Sequence, residues 1–332
     1  MKGFKKSFKM SVAILLGVVF SLAVVLGASF LNVKASQTKA TSTSNVKYAM
    51  VLKTLANPFW VKMKDGILQE AKKQGVKVDV FAATSEDAIE EQLKIFEDAI
   101  TKGYKGIGIA PISPVNVIPA VVEANKKGIY VVNVDEQINM DQLKKAGGSV
   151  VGFVTTDNEK VGAMAATYIV NKLGKQGGKV AIIEGKAGNA SGEARKRGAT
   201  EVFKANKNIQ LVASQPADWD RLKALDVATN IMQRFPDIKA FYCANDTMAL
   251  GALQAVINAG KLGKILVVGT DGIPEAVQSV KSGKLTATIA QDPAKIGAES
   301  LKLLIKAVKE KKPISPNQKP VIIKIDPILV TK

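Results

Sequence analysis

Short runs of β-branched and other apolar residues alternate along the chain with longer stretches in which apolar positions recur every three or four residues. Such short runs are typical of buried strands, and the longer stretches are typical of amphipathic helices. The pattern predicts strands near Tyr48–Leu52, Lys77–Phe81, Gly106–Ala110, Ile129–Asn133, Val151–Thr155, Lys179–Glu184, Ile209–Ser214, Ala240–Cys243, Ile265–Gly269 and Thr286–Ala290.

The segments between these strands have one apolar face. Residues 85–102, for example, place Ile89, Leu93, Phe96 and Ile100 on the same side of a helix. Regular alternation of strand and helix predicts parallel sheets that are covered by helices on both faces. Because there are two sets of roughly five such units, the pattern favours two similar α/β lobes.

Three features mark the limits of these lobes. The glycine pair at 147–148 indicates a break between them, and residues 291–293 form a second candidate junction. The last segment, residues 320–332, contains Pro327 and β-branched residues, so it favours edge strands over a helix.

The first 35 residues have the pattern of a secretory signal. A lysine-rich start is followed by an uncharged stretch of 23 residues from Ser11 to Val33, and Val33-Lys34-Ala35 resembles a cleavage site. The stretch is long enough to span a bilayer if it is not cleaved. We therefore predict a signal sequence over residues 1–35 and a flexible polar tether over residues 36–46. The protein is expected in the periplasm or at the outer face of the cytoplasmic membrane, with the signal cleaved near Ala35 or retained as an anchor.

Composition removes several classes of chemistry. The chain has no histidine and one cysteine, so it contains neither a His-based catalytic triad nor a Cys/His metal site. Cys243 lies near the end of a predicted strand and is expected to be a buried, inert thiol. We predict no metal and no cofactor.

The chain carries a net charge of +18, of which the first 35 residues contribute five lysines and no acidic residue. The remaining lysines are spread over helix faces rather than gathered in one arm. We therefore expect a solvated basic surface and no nucleic-acid partner.

The segment from Lys53 to Trp60, K-T-L-A-N-P-F-W, places a cation, an amide and two aromatic residues at the end of the first predicted strand. Asn57 suits a helix N-cap, and Pro58 suits the first helical turn. Ligands of open α/β folds bind at this edge of a sheet, and aromatic faces beside hydrogen-bonding groups suit a sugar ring. Taken alone, however, the Phe59–Trp60 pair is at least as typical of a core cluster under a loop.

Other strand ends carry residues of the same kinds. They are Asp135, Arg195, Asp218, Trp219, Asp220, Asn245, Asp246, Asp271 and Gln291. Asp220 and Asp246 are expected to be helix caps. The other carboxylate, amide and guanidinium groups suit bidentate hydrogen bonds to neighbouring hydroxyls. One tryptophan from each half is placed to sandwich a pyranose ring.

The segment Gly185–Gly192, G-K-A-G-N-A-S-G, lies between a predicted strand and a predicted helix. It lacks the spacing of a phosphate-binding loop. Two interpretations stay open: the turn presents backbone N–H groups to a ligand, or it is an ordinary strand-to-helix turn.

Together these motifs resemble the periplasmic sugar-binding proteins of the ribose-binding class. The resemblance extends from about Tyr48 to Val330 and is carried by K-T-L-A-N-P-F-W, V-D-E, E-G-K-A-G-N-A-S-G-E-A-R, Q-P-A-D-W-D-R, Y-C-A-N-D-T-M-A and V-V-G-T-D-G-I-P-E-A. It implies two Rossmann-like lobes that are joined by three hinge crossings and close on a sugar. We place the lobes at residues 47–155 plus 292–320 and at residues 156–291 plus 321–332.

The resemblance also implies a set of ligand-binding residues, with Gln291 at a hinge. They are Lys53, Asn57, Phe59, Trp60 and Asp135 in the first lobe, and Asn189, Arg195, Trp219, Asn245 and Asp271 in the second.

The resemblance favours an allose-like hexopyranose over ribose. Ribose-binding members usually have Arg directly after the residue matched by Asp135, whereas this chain has Glu136. Lys53, Trp60 and the Q-P-A-D-W-D segment are most similar to the allose-binding branch of the class. Two tryptophans also favour a larger ring.

The predicted function is capture of a monosaccharide by a monomer through domain closure, followed by delivery to the membrane permease of an ABC importer. A sugar-active enzyme would instead use Asp135 and Asp271 as a carboxylate pair. A transcriptional regulator would need a helix-turn-helix where this chain has its signal-like segment. A binder of ribose, another sugar or an autoinducer that serves a chemoreceptor would use the same cleft.

Overall fold

A computed structural model describes residues 47–332, so the predicted signal sequence and tether lie outside the described residues. The first half of this part contains β1 (Lys47–Thr54), α1 (Pro58–Gln74), β2 (Lys77–Ala83), α2 (Ile89–Thr101), β3 (Gly106–Ile109), α3 (Ile118–Lys126), β4 (Tyr130–Val134), α4 (Met140–Lys145) and β5 (Gly152–Thr156).

The second half contains α5 (Asn158–Leu173), a short 3-10 helix (Gly174–Gln176), β6 (Gly178–Glu184), α6 (Ala190–Ala205), β7 (Ile209–Pro216), α7 (Arg221–Arg234), β8 (Ala240–Cys243), α8 (Asp246–Asn258), β9 (Leu266–Asp271), α9 (Pro274–Lys281) and β10 (Ala287–Ala290). It is followed by α10 (Pro293–Lys309), β11 (Val321–Ile325) and β12 (Ile328–Val330).

The strands form two six-stranded sheets, which confirms the prediction of two α/β lobes. The first sheet has the order β11-β5-β4-β3-β1-β2 and is parallel throughout. The second has the order β12-β10-β9-β8-β6-β7 and is parallel except for β12, which runs antiparallel to β10. All ten predicted strands are present, and the predicted C-terminal edge strands are β11 and β12.

Each sheet is covered on both faces, which explains why its central strands are almost entirely apolar. In the first lobe, Met50 and Met63 belong to the cluster under α1 and α10, whereas Phe96 belongs to the cluster under α2 and α3. Helix α2 begins at Ile89 rather than at residue 85, because residues 85–88 form a turn. In the second lobe, Cys243 is fully buried as predicted, and this burial raises the pKa of its thiol.

The chain crosses between the lobes three times, between β5 and α5, between β10 and α10, and between β11 and β12. The crossing between β10 and α10 lies at residues 291–292, within the junction predicted at 291–293. The break predicted at 147–148 is wrong, because these glycines precede β5, which still belongs to the first sheet. Gly147 has a φ of 83° and lies in the turn that follows α4.

The assignment of residues 321–332 to the second lobe is also wrong in part. Strand β11 pairs with β5 in the first sheet, so only β12 belongs to the second. The boundary placed at 155 also falls one residue before the end of β5. Both C-terminal strands are short apolar runs, and such runs do not specify which sheet edge they join. Among residues 47–332, no helix has both the length and the apolar character needed to cross a bilayer.

Candidate functional site

The carboxyl ends of the strands in both sheets face a cavity between the lobes. The cavity has a volume of about 320 Å³, including the part that is open to solvent. The cavity is lined by Lys53, Asn57, Phe59, Trp60, Glu86, Asp135, Ser191, Arg195, Trp219, Asn245, Asp271 and Gln291.

The loop between β1 and α1 forms one wall. Asn57 is the N-cap of α1, as predicted, because its side chain accepts a hydrogen bond from the Phe59 N–H at 3.0 Å. The rings of Phe59 and Trp60 meet edge to face, with centroids 5.0 Å apart. The Trp60 indole N–H donates to Glu86 Oε1 at 2.9 Å. The pair thus belongs to the core and also lines the cavity.

Lys53 brings a buried positive charge to this wall. It is 3% exposed, and its Nζ lies 3.2 Å from Glu136 Oε2 and 3.9 Å from Glu86 Oε2. Burial acts to lower the pKa of Lys53, but the carboxylates of Glu136, Glu86 and Asp135 outweigh it and raise the pKa. Lys53 is therefore a charged hydrogen-bond donor.

Asp135 follows β4 in a left-handed backbone conformation, with a φ of 58°. Its N–H donates to the Val154 carbonyl at 2.7 Å, and its own carbonyl accepts from Thr155 Oγ1 at 2.7 Å. Burial raises the pKa of Asp135 to about 7, although Lys53 acts in the opposite direction. Among the described residues, its Oδ1 atom has no hydrogen-bond partner. The carboxyl group is thus held by its backbone and presents a free acceptor to the cavity.

Arg195 and Asp271 form a buried pair in the second lobe. Arg195 donates from Nη1 to the Ala244 carbonyl at 2.7 Å and from Nε to Asn158 Oδ1 at 2.8 Å, and its Nη1 lies 3.7 Å from Asp271 Oδ1. Gln291 Nε2 donates to the same Asp271 oxygen at 2.6 Å. Burial raises the pKa of Asp271 to about 6, against the effects of Arg195 and Gln291.

Trp219 is held by the Gly-rich turn. A Cβ atom on Gly185 would lie 2.0 Å from the indole ring, and one on Gly192 would lie 3.0 Å from it. The indole N–H donates to Asn189 Oδ1 at 2.9 Å. Asn189 is therefore absent from the cavity lining, although it was predicted as a ligand-binding residue, and it contacts Trp219 instead. Glycine is needed in this turn because the ring packs against its backbone.

The polar residues at the starts of α7 and α8 separate into caps and other roles. Asp220 caps α7, as predicted, by accepting from the Lys223 N–H at 2.8 Å. The prediction that Asp246 is a cap is wrong, because Asn245 caps α8 while also lining the cavity. Asp246 is fully buried and accepts from the Ile273 N–H at 2.9 Å and from Thr288 Oγ1 at 2.7 Å.

Two cavity residues, Glu86 and Ser191, were not predicted from the sequence. Glu86 lies in the polar turn after β2, and Ser191 lies in the first turn of α6. A single acid or hydroxyl in such a turn has no distinguishing sequence signal. Each lies at the cavity because it contacts a residue that is distant in the chain.

Backbone strain is concentrated around the cavity. Five non-glycine residues of the described part have a positive φ, and three of them, Asp135, Trp219 and Asp271, line the cavity. A fourth, Asp218, directly precedes Trp219. Sparsely populated backbone conformations of this kind cluster at ligand-binding sites, where the surrounding structure enforces them.

Comparisons with known proteins agree with this arrangement. A family model described as a periplasmic binding protein domain matches residues 48–312. The D-allose-binding periplasmic protein of Escherichia coli (strain K12) is 63% identical over 286 residues, which is 86% of this chain and 92% of that protein. The ribose import binding protein of Bacillus subtilis (strain 168) is 42% identical over 244 residues, with 74% of this chain and 75% of that protein covered.

A solved structure is also similar to this chain. The crystal structure of an ABC transporter periplasmic solute binding protein from Actinobacillus succinogenes 130z, with bound D-allose, matches with a TM-score of 0.80 at 36% identity. The match covers 86% of this chain and 98% of that one.

Proposed function

The chain belongs to the periplasmic binding protein family, and on that premise we propose that it captures a monosaccharide between its lobes and delivers it to the permease of an ABC importer. D-allose is the favoured ligand. The protein binds the sugar by closing its lobes around it, without changing it chemically.

One observation carries this proposal. The buried cavity has polar groups from both lobes and a tryptophan from each, and two of its acceptor atoms, Asp135 Oδ1 and Gln291 Oε1, have no partner among the described residues. Buried polar groups are hydrogen-bonded in the great majority of cases. A sugar carries several neighbouring hydroxyls that can donate hydrogen bonds to these acceptors. The apolar face of a pyranose suits an indole ring.

The preference for D-allose rests on the relatives and on two side chains. The relative from E. coli and the solved structure from A. succinogenes are both described as binding D-allose. Glu136 stands where ribose-binding members usually have Arg, and Trp60 enlarges the aromatic surface. Ribose is the main competitor, because the relative from B. subtilis is a ribose import binding protein.

We also propose that residues 1–35 direct export and that the closed form docks onto the permease. The relatives from E. coli, B. subtilis and A. succinogenes are binding proteins, which supports binding over catalysis. A chemoreceptor that recognises the same closed form remains a further predicted partner.

A thermal-shift panel tests the proposal with D-allose, D-ribose, D-psicose, D-xylose, D-glucose and D-galactose. A ligand present at 100 times its Kd stabilises a protein by about 2.7 kcal/mol. We expect D-allose to raise the melting temperature most. A larger shift with ribose would overturn the choice of sugar, and no shift with any of these sugars would overturn the proposed function.

A further inference from the structure

The carboxylate of Glu136 joins the two lobes across the cleft. Glu136 follows β4 in the first lobe and is 1% exposed. Its Oε1 accepts from the Ser191 N–H at 3.1 Å, and its Oε2 accepts from Ser191 Oγ at 2.7 Å and from Lys53 Nζ at 3.2 Å. Since Ser191 belongs to α6 of the second lobe, these bonds exist only when the lobes are together.

Helix α6 has no cap from its own lobe. Asn189 stands at its N-cap position but makes no side-chain bond to the first turn. Its Oδ1 atom accepts from the Trp219 indole instead, at 2.9 Å. Ser191 is the second residue of α6, so its N–H is one of the donors that the helix itself cannot satisfy. A carboxylate at this position also interacts favourably with the helix dipole. Glu136 thus supplies the missing cap from the opposite lobe.

Glu136 is fixed firmly in the first lobe. Asn133 Nδ2 donates to its backbone carbonyl at 2.6 Å, and its own N–H donates to the Val134 carbonyl at 2.6 Å. The positive charge of Lys53 neutralises the negative charge of the Glu136 side chain. Glu136 is not part of the cavity lining, so it acts on a bound sugar only through Lys53 and through closure.

We propose that Glu136 is an interlobe latch, which orients Lys53 in the cavity and stabilises the closed arrangement by capping α6 of the opposite lobe. The inference rests on the proposed function, because it concerns how a captured sugar is retained. A sugar enters while the lobes are apart, when the latch is not formed. Loss of the latch therefore speeds release of the sugar and leaves its rate of association unchanged.

Other interlobe contacts are weaker candidates. Lys186 pairs with Asp87 at the rim, where the Asp87 side chain is 70% exposed, and exposed pairs contribute little. Asn189 Nδ2 reaches the Ile112 carbonyl at only 3.4 Å. The Glu136–Ser191 contact combines two buried residues, a charged acceptor and two donors.

The first lobe contains a matched control. Glu91 Oε2 accepts from both the N–H and the hydroxyl of Thr84, at 3.0 and 2.6 Å. This is the same pairing of one carboxylate with one hydroxyl residue, but it lies within a single lobe and is exposed. Glu91→Gln therefore reports what the loss of such a pair does without any effect on closure.

The test is stopped-flow tryptophan fluorescence with D-allose, since both tryptophans of the chain line the cavity. Ser191→Ala removes one bond to a charged acceptor and leaves Lys53 paired, so we expect its dissociation rate to rise about tenfold. Glu136→Gln removes the charge and is expected to raise that rate further. Association rates should stay within about twofold, because encounter precedes closure. The melting temperature of sugar-free Ser191→Ala should match that of the wild type.

Three results would overturn the latch. They are unchanged dissociation in Ser191→Ala, an equal increase in Glu91→Gln, and a loss of affinity that lies entirely in the association rate. Ser191 also lines the cavity, so faster release from Ser191→Ala supports the latch only together with faster release from Glu136→Gln, because Glu136 is outside the cavity lining. Unchanged dissociation in Ser191→Ala overturns the latch even if Glu136→Gln fails to fold. A wild-type protein that responds to none of the sugars in the panel would overturn the proposed function, and the latch with it. That outcome is distinct from a responsive wild type with normal variants.

Discussion

Each tryptophan of the cavity is held in place by a hydrogen bond from its indole N–H, Trp60 to Glu86 and Trp219 to Asn189. A cation also lies near each ring, with Lys53 Nζ 5.6 Å from the Trp60 centroid and the Arg195 guanidinium 5.8 Å from that of Trp219. Both rings are thus fixed before a ligand binds. Pre-ordered aromatic groups lose little conformational entropy on binding, which favours affinity.

We expect Trp60→Ala and Trp219→Ala each to weaken sugar binding by about 2 kcal/mol or more, roughly 30-fold. Both changes remove a large aromatic surface of the cavity. Isothermal titration calorimetry measures the effect. Trp→Phe variants at the same positions keep an aromatic face and should lose less. Unchanged affinity in both alanine variants would rule out the stacking model.

Variants of Asp271 and Asp220 distinguish a ligand-binding carboxylate from a helix cap. Asp271→Ala removes an acceptor from the cavity and leaves the buried Arg195 charge without its partner, so we expect sugar affinity to fall more than about tenfold. Asp220→Ala should cost about 1 kcal/mol of stability through loss of a cap, with little change in affinity. Titration calorimetry and urea unfolding measure the two quantities. Equal losses of affinity in the two variants would show that this division is wrong.

Most of the cavity residues were predictable because two signals coincide in the sequence. Asp135, Asp271 and Asn245 are polar residues of suitable type, and each lies directly at or after the carboxyl end of a recognisable strand. Glu86 and Ser191 carry only one of these signals. Their place at the cavity depends on contacts between segments that are far apart in the chain, and periodicity does not report such contacts.

At the scale of elements, the positions of the strands were easier to predict than the way in which the strands pair. Burial on both faces gives β1, β4 and β9 a predominantly apolar sequence, which identifies them from the sequence pattern. Pairing is a long-range choice, so β11 was assigned to the wrong lobe. The glycine pair at 147–148 was interpreted wrongly because a glycine that ends a helix and one that marks a lobe boundary look the same in a sequence.

The packing of α5 against α6 gives a test at this scale. A Cβ atom on Gly162 would lie 1.9 Å from the Arg195 carbonyl oxygen, so the two backbones are in contact at that point. We expect Gly162→Ala to push the helices apart and destabilise the protein by about 1–3 kcal/mol. Sugar affinity should also fall, because Arg195 moves.

The control for this prediction is Thr167→Ala on the exposed side of α5. A surface change of this kind usually alters stability by less than about 0.5 kcal/mol. Urea unfolding compares the two variants. Similar stability in both would mean that the close contact between the helices is easily relieved.

At the scale of the whole molecule, three chain crossings join the two lobes, and residues of both lobes line one cavity between them. Asp135 and Asp271 are buried in the structure, and this burial raises their pKa values to about 7 and about 6. We expect that separation of the lobes exposes these carboxyls to solvent and returns their pKa values towards the ordinary value of about 3.9. The closed arrangement therefore binds protons that the open arrangement does not bind between about pH 4 and 7.

The sign of the pH effect follows from this difference. A group with a higher pKa in the closed form favours closure as the pH falls through that value. We expect the radius of gyration of the sugar-free protein, measured by small-angle X-ray scattering, to decrease as the pH is lowered from about 8 to about 5. An Asp135→Asn, Asp271→Asn double variant should lose this dependence. Expansion on acidification of the wild type would contradict the prediction.

The most direct test of a two-sided monosaccharide site is a calorimetric titration of the wild-type protein with D-allose, with D-glucose, its epimer at C3, as the matched competitor. We predict binding of one D-allose per chain, with affinity at least about tenfold above that for D-glucose, as expected when one buried hydrogen bond is lost. Saturable binding of neither sugar, together with no response to D-ribose, would contradict the assignment of this cavity to monosaccharides.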